Sequence, residues 1–107
     1  MAQAKRNRRN DQSVRSILAA LEAYTAAHPS ARVKAYRQNS ACVRVRIIDP
    51  DFQKMDRVER DDMIWEYLDD LPEDVQSEVS MLVLVTPEET KTSMANLEFE
   101  HPARSAI

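Results

Sequence analysis

Glycine is absent from this 107-residue chain. A sequence of this length ordinarily holds roughly seven, and without them no device that needs glycine's positive φ or its close backbone approach can be built. The P-loop, the dinucleotide-binding fingerprint and the GXXG clamp of KH domains are excluded together. Cysteine is nearly absent: Cys42 stands alone, so no internal disulfide forms, in keeping with a reducing compartment. No apolar run reaches the length of a membrane span, and the opening MAQAKRNRRN lacks the apolar stretch of a signal peptide, so a cytoplasmic protein with no membrane contact is expected.

Catalytic and metal-binding residues are equally sparse. His28, His101 and Cys42 show no paired spacing such as CxxC or HxxxH, so neither a zinc site nor a nucleophilic triad is expected, and no cofactor. His28 reads as a helix-end residue favoured by the dipole, and Cys42 as a small packing residue. The pair Asp61-Asp62 falls on a helix, where neighbours diverge by about 100° and do not converge on one ion. The expectation is a non-enzymatic protein.

What the chain does contain is segregated charge. The net charge of −3 combines a basic start (Lys5, Arg6, Arg8, Arg9), five bases and no acid over residues 31–48, and twelve acids against three bases over residues 49–78. A basic edge therefore faces an acidic helical side. With 43% hydrophobic and 31% charged residues the chain is one globular domain able to bury a modest core. Residues 1–10 read as a flexible basic arm, 11–93 as the folded domain and 94–107 as a loose C-terminal tail.

Along the domain, Asp11 or Ser13 caps a helix whose stripe is Val14, Ile17, Leu18, Leu21 and Tyr24 or Thr25, ended by His28-Pro29. Residues 32–37 and 41–48 alternate with the two-residue period of strands, and Gln38-Asn39-Ser40 supplies turn chemistry, which predicts a hairpin. A three-residue loop pairs 37 with 41, 35 with 43 and 33 with 45. Val33, Ala35, Val43 and Val45 then share the core face, while Arg32, Lys34, Tyr36, Arg44 and Arg46 collect on the other, with Tyr36 beside Cys42. Asp56 and Glu59 form a capping box for a helix to about Asp70, with Val58, Ile64, Trp65, Leu68 and Leu71 as its buried stripe. Pro72–Gln76 starts a further short helical turn. Val79–Val85 is nearly all apolar, as in a strand covered on both faces or buried centrally, and the helical crossover predicts that it runs parallel to the second hairpin strand. Thr86-Pro87-Glu88-Glu89 opens a last short helix. The fold class is α+β: a single domain in the order α-β-β-α-α-β, with a three-stranded mixed sheet, helices packed on it and a C-terminal helical extension.

Three stretches of this region, VRVRIIDPDF, Arg60-Asp61-Asp62-Met63-Ile64-Trp65-Glu66-Tyr67-Leu68 and VSMLVLVT, resemble the BolA family. That family pairs a strand ending before a phenylalanine turn with a helix opened by Arg-His and a final strand carrying a histidine. The resemblance covers about residues 14–90 and implies a fold related to class II KH domains. It adds Arg60 to the candidate binding residues. Asp61 and Ser80 stand where the family has its histidines, and the glycine usual after the Phe52 turn is missing. The final-strand histidine helps hold an iron–sulfur cluster shared with a monothiol glutaredoxin, and serine is a poor ligand for such a cluster.

The expected function is a BolA-like binding or regulatory domain. It contacts nucleic acid or an acidic partner protein through the basic hairpin face, with Arg32, Lys34, Tyr36, Arg44, Arg46 and Arg60 as site residues. The alternatives are an iron–sulfur adaptor for a glutaredoxin-like partner with altered ligands, and a structural homodimer formed through the apolar final strand. Monomer and homodimer are both compatible with the sequence.

Overall fold

A computed structural model describes residues 11–102. The basic arm expected over residues 1–10 lies outside them, as do residues 103–107 of the expected tail. Helix α1 (Gln12–Ala27) starts where the Asp11 carboxylate accepts a hydrogen bond from the Val14 amide at 3.1 Å. It buries Ile17, Leu21 and Tyr24 of the predicted stripe, with Val14 and Leu18 half-buried, and ends at His28, whose amide closes on the Tyr24 carbonyl.

Strands β1 (Arg32–Asn39) and β2 (Cys42–Ile48) form the hairpin, with Arg37 opposite Val43, Ala35 opposite Val45 and Val33 opposite Ile47. The register is two residues away from the expected one, because β1 runs on through Asn39 and only Ser40-Ala41 remains as the loop. A slip of two keeps every side chain on its own face, so Val43, Val45 and Ile47 still enter the core, all fully buried. Two-residue hairpin loops ordinarily need positive φ, and no described residue has it. Side chains close the turn instead. Asn39 Oδ1 accepts from the Ala41 amide at 2.9 Å, and Arg37 Nη1 donates to the carbonyls of Asn39 and Ser40 at 3.0 and 3.2 Å.

A 3-10 turn (Pro50–Lys54), helix α2 (Arg57–Leu68) and the single-turn helix α3 (Glu73–Gln76) connect β2 to β3 (Val79–Val85), which pairs parallel to β2 as predicted. The sheet order is β1-β2-β3, so the final strand is an edge and not the centre. Its unbroken apolar run answers to cover on both faces. Leu82 and Leu84 join the core made by α1 and α2, while Val83 and Val85 join a second cluster around Phe99. The predicted capping box of α2 is present in both directions, Asp56 to the Glu59 amide and Glu59 to the Asp56 amide.

Two expectations for α2 need correction. Val58 is 67% exposed and Trp65 is only half-buried at the core margin, whereas Arg60, Ile64 and Leu68 are buried. At ~100° per residue Val58 lies roughly 120° from Ile64, outside the inward face. The inward position one turn before Ile64 belongs to Arg60, a residue that apolar patterning does not count. Beyond β3, Thr86 and Glu89 cap each other reciprocally at 3.2 and 3.0 Å and lead only into a 3-10 turn (Glu89–Lys91). The segment read as a loose tail from residue 94 instead forms helix α4 (Met94–Glu100), capped by the Ser93 hydroxyl. The result is three layers: α1 and α2, the sheet, and α4.

Arg37 ties three of these parts together. Its guanidinium bonds both oxygens of Asp11 at the start of α1, and Glu78 before β3 at 2.8 Å. The guanidinium holds the carboxyls of both Asp11 and Glu78 below their ordinary values of 3.8 and 4.5. Depressed carboxylates contribute stability that is present above the ordinary range and lost as pH falls through the depressed values. Arg37→Gln is therefore expected to flatten the acid limb of a stability-versus-pH curve below about pH 4.5, read by urea unfolding at successive pH values. For the core, Ile64→Ala is expected to cost about 3–4 kcal/mol and Trp65→Ala about 2 kcal/mol. Val58→Ala should stay within ~0.5 kcal/mol. A Val58 cost equal to that of Ile64 would contradict the observed helix face.

Candidate binding face

The hairpin brings most of the predicted basic set onto one sheet face. Lys34 stands opposite Arg46 and Tyr36 opposite Arg44, while Arg32 lies at the strand start opposite Ile48. Arg32 and Lys34 are exposed; Tyr36, Arg44 and Arg46 are not. Like charges stacked across a strand pair are unfavourable unless another group answers them. Here α4 answers them.

Phe99 anchors that helix. It is 1% exposed, packs with Val83 and Val85, and its ring lies 4.8 Å from that of Tyr36. The Arg46 guanidinium sits 4.8 Å above the Phe99 ring, a cation–π contact. It also bonds Glu100, and Asn96 Oδ1 at 3.0 Å. Arg44 Nη1 reaches the Glu98 carboxylate at 3.1 Å and the Glu98 carbonyl at 3.3 Å. The Tyr36 hydroxyl donates to the Phe99 carbonyl at 2.7 Å, so the aromatic expected to offer a stacking surface is a latch for α4. Asn96, buried beside Arg46, ties the helix back to its own linker through Thr90 at 3.2 Å. The Arg46 side chain is 11% exposed and that of Arg44 15%, which leaves Lys34 and Arg32 as the accessible cations of this face. The outward side of α4 is apolar, with Met94 77% and Leu97 54% exposed.

Arg60 lies elsewhere. It belongs to α2 at the edge of β3, and every nitrogen of its guanidinium donates: Nε to Met55 O at 3.0 Å, Nη1 to Leu84 O at 2.9 Å and Nη2 to Phe52 O at 2.8 Å. Both terminal nitrogens also meet the Glu89 carboxylate, at 2.7 and 3.1 Å, in a bidentate pair. That pair holds Glu89 below the ordinary range for a glutamate. Arg60 is thus a structural cross-link that the fold does not bring to the basic face. Of the other residues singled out by resemblance, Asp61 is exposed on α2, and Ser80 is exposed at the start of β3 with its hydroxyl toward the Val43 carbonyl at 3.4 Å. Cys42 is half-buried and unpaired.

Sequence reasoning missed a third site altogether. His28, Asp49 and Asp51 converge where α1 ends and the turn after β2 begins. Asp49 is fully buried, and His28 Nδ1 lies 3.5 Å from its Oδ2 and 2.9 Å from Asp51 Oδ2. The only sequence signal was an Asp-Pro-Asp turn, and the distance from residue 28 to residue 49 hid the histidine from it.

The chain matches no protein-family model, no curated protein and no solved structure. Among the described residues no helix is long and apolar enough to cross a membrane.

Removing the Arg60 guanidinium takes a donor from three carbonyls and from the Glu89 carboxylate at once. Arg60→Met is expected to destabilise the domain by about 3 kcal/mol despite the retained aliphatic bulk, measured by denaturant unfolding. Glu89→Gln should cost less, because the carbonyl acceptors of Arg60 remain. Equal losses from the two variants would contradict the carbonyl-centred reading.

Proposed function

We propose that this domain is a non-enzymatic protein-interaction module acting in the cytoplasm, whose basic sheet face receives an acidic helical segment carrying an inward phenylalanine. The observation that carries this reading is the seating of α4. Its glutamates meet Arg44 and Arg46, its Phe99 fills the apolar floor of Val83 and Val85, and Tyr36 fastens its backbone. The face therefore has the features that read such a helix: paired cations at one spacing, an apolar seat and a hydroxyl donor. In the resting chain α4 is the occupant, so a partner must displace a tethered competitor whose effective concentration is of millimolar order.

Nucleic acid is the weaker occupant, because the two arginines nearest the centre of the face already meet carboxylates. The BolA-like resemblance supports the element order. It does not bear on the ligand, since both histidine positions are changed and Cys42 lies outside the His28–Asp49–Asp51 cluster. Edge-to-edge homodimerisation through β3 is disfavoured by Arg60, which occupies the Leu84 carbonyl on that strand.

The test opens the face without removing it. Phe99→Ala with Glu98→Gln and Glu100→Gln should release α4 while the first core keeps the sheet folded, verified by circular dichroism. A labelled peptide of sequence TSMANLEFEHP should then bind this variant in trans with a micromolar dissociation constant, and wild type at least tenfold more weakly by anisotropy. Adding Arg44→Glu and Arg46→Glu should abolish binding. A folded, opened variant that ignores the peptide overturns the proposal. If that variant instead retains single-stranded nucleic acid with a log-affinity versus log-salt slope near −3, the face is a nucleic-acid surface.

A further inference from the structure

The convergence of His28, Asp49 and Asp51 involves no residue of the basic face. Asp49 is fully buried, and both of its oxygens are held by neutral donors: Oδ1 by the Asp51 amide at 2.9 Å and Oδ2 by the Tyr24 hydroxyl. Asp51, 64% exposed at its side chain, opens the cluster to solvent. Two carboxylates thus share one imidazole, and one of the two, Asp49, is fully buried. A buried carboxylate without a full countercharge is costly, so a cation is the natural complement.

We propose that His28 Nδ1 and one oxygen each from Asp49 and Asp51 form a binding site for a divalent transition-metal ion, with water completing the shell. One imidazole and two carboxylates suit zinc and its neighbours, and without thiolate they do not select soft ions. Donors around a tetrahedral ion with bonds of about 2.0 Å sit roughly 3.3 Å from one another. The two separations from His28 Nδ1, 2.9 and 3.5 Å, bracket that value, and all three donor atoms lie within 4.8 Å of one another. The surrounding groups are those that orient ligands. The Tyr24 hydroxyl and the Asp51 amide fix Asp49, and the Tyr24 ring stacks on the imidazole at 4.2 Å and 15°. Each Asp49 oxygen keeps a lone pair beyond these bonds.

The test uses the full chain after chelator treatment. Cobalt(II) chloride should give one equivalent of binding with a visible d–d absorption band. Zinc chloride should displace it and raise the thermal midpoint. Asp51→Asn alters an exposed side chain and should leave the fold unchanged, yet weaken cobalt binding about tenfold or more. His28→Gln should do the same and remove the imidazole contribution to the band. Absence of saturable binding below millimolar metal overturns the site. So does binding that survives both substitutions unchanged, which would place the metal on the acidic α2 surface.

Discussion

Arg60 holds the described structure together, because one guanidinium answers four segments of chain. It spans the Phe52 turn, the entry to α2, the edge of β3 and, through Glu89, the linker that follows. The carbonyls of Met55, Leu84 and Phe52 would each lose a donor without it, a cost no apolar side chain could relieve. Its ring contact with Phe52, at 5.4 Å, sets the cation directly on the core. Glu89 in turn fixes the Thr86 turn, and that turn decides where the chain leaves β3. The placement of α4 on the far face of the sheet therefore depends on an arginine belonging to the near-face helix.

The far face shows how a local charge excess is resolved by distant sequence. The five bases of residues 31–48 have no acid among them. The acids that answer three of them come from before α1, from before β3 and from α4: Asp11 and Glu78 for Arg37, Glu98 for Arg44, Glu100 for Arg46. Such pairs are worth little when fully solvated. Arg44 and Arg46 are largely covered and organised around Phe99, so geometry and apolar burial do most of the holding while the charges select which helix fits. Selection of this kind is what a recognition surface requires, and it is the physical basis for reading α4 as a built-in occupant.

The opposite junction stores the opposite charge. Asp49 is buried because β2 must end there: its amide closes the parallel ladder on the Val85 carbonyl while its side chain caps the following turn. Tyr24 and His28 arrive from α1 to satisfy it. A requirement of strand termination thus brings a histidine and two carboxylates together with one side open to solvent.

Much of the architecture was legible in the chain alone. Caps, proline stops and apolar periods are local signals, and they placed α1, the hairpin, the capping box of α2 and the parallel β3 correctly. The faces of the hairpin were legible too, even with the register two residues off, because alternation has a period of two. What local pattern did not carry was anything that joins residues far apart in sequence. Arg60 took a core-facing position because carbonyls from three other segments meet there, and a residue's own neighbours say nothing of that. Residues 94–100, with a weak pattern in isolation, became a helix because a basic, apolar-floored face was waiting for Phe99 and two glutamates. His28, Asp49 and Asp51 met only once the end of α1 was laid against the end of β2. Secondary structure followed from nearest-neighbour chemistry, whereas the accessible cations, the covered face and the converging ligands were decided by tertiary packing, which alone brings distant charges within hydrogen-bond reach.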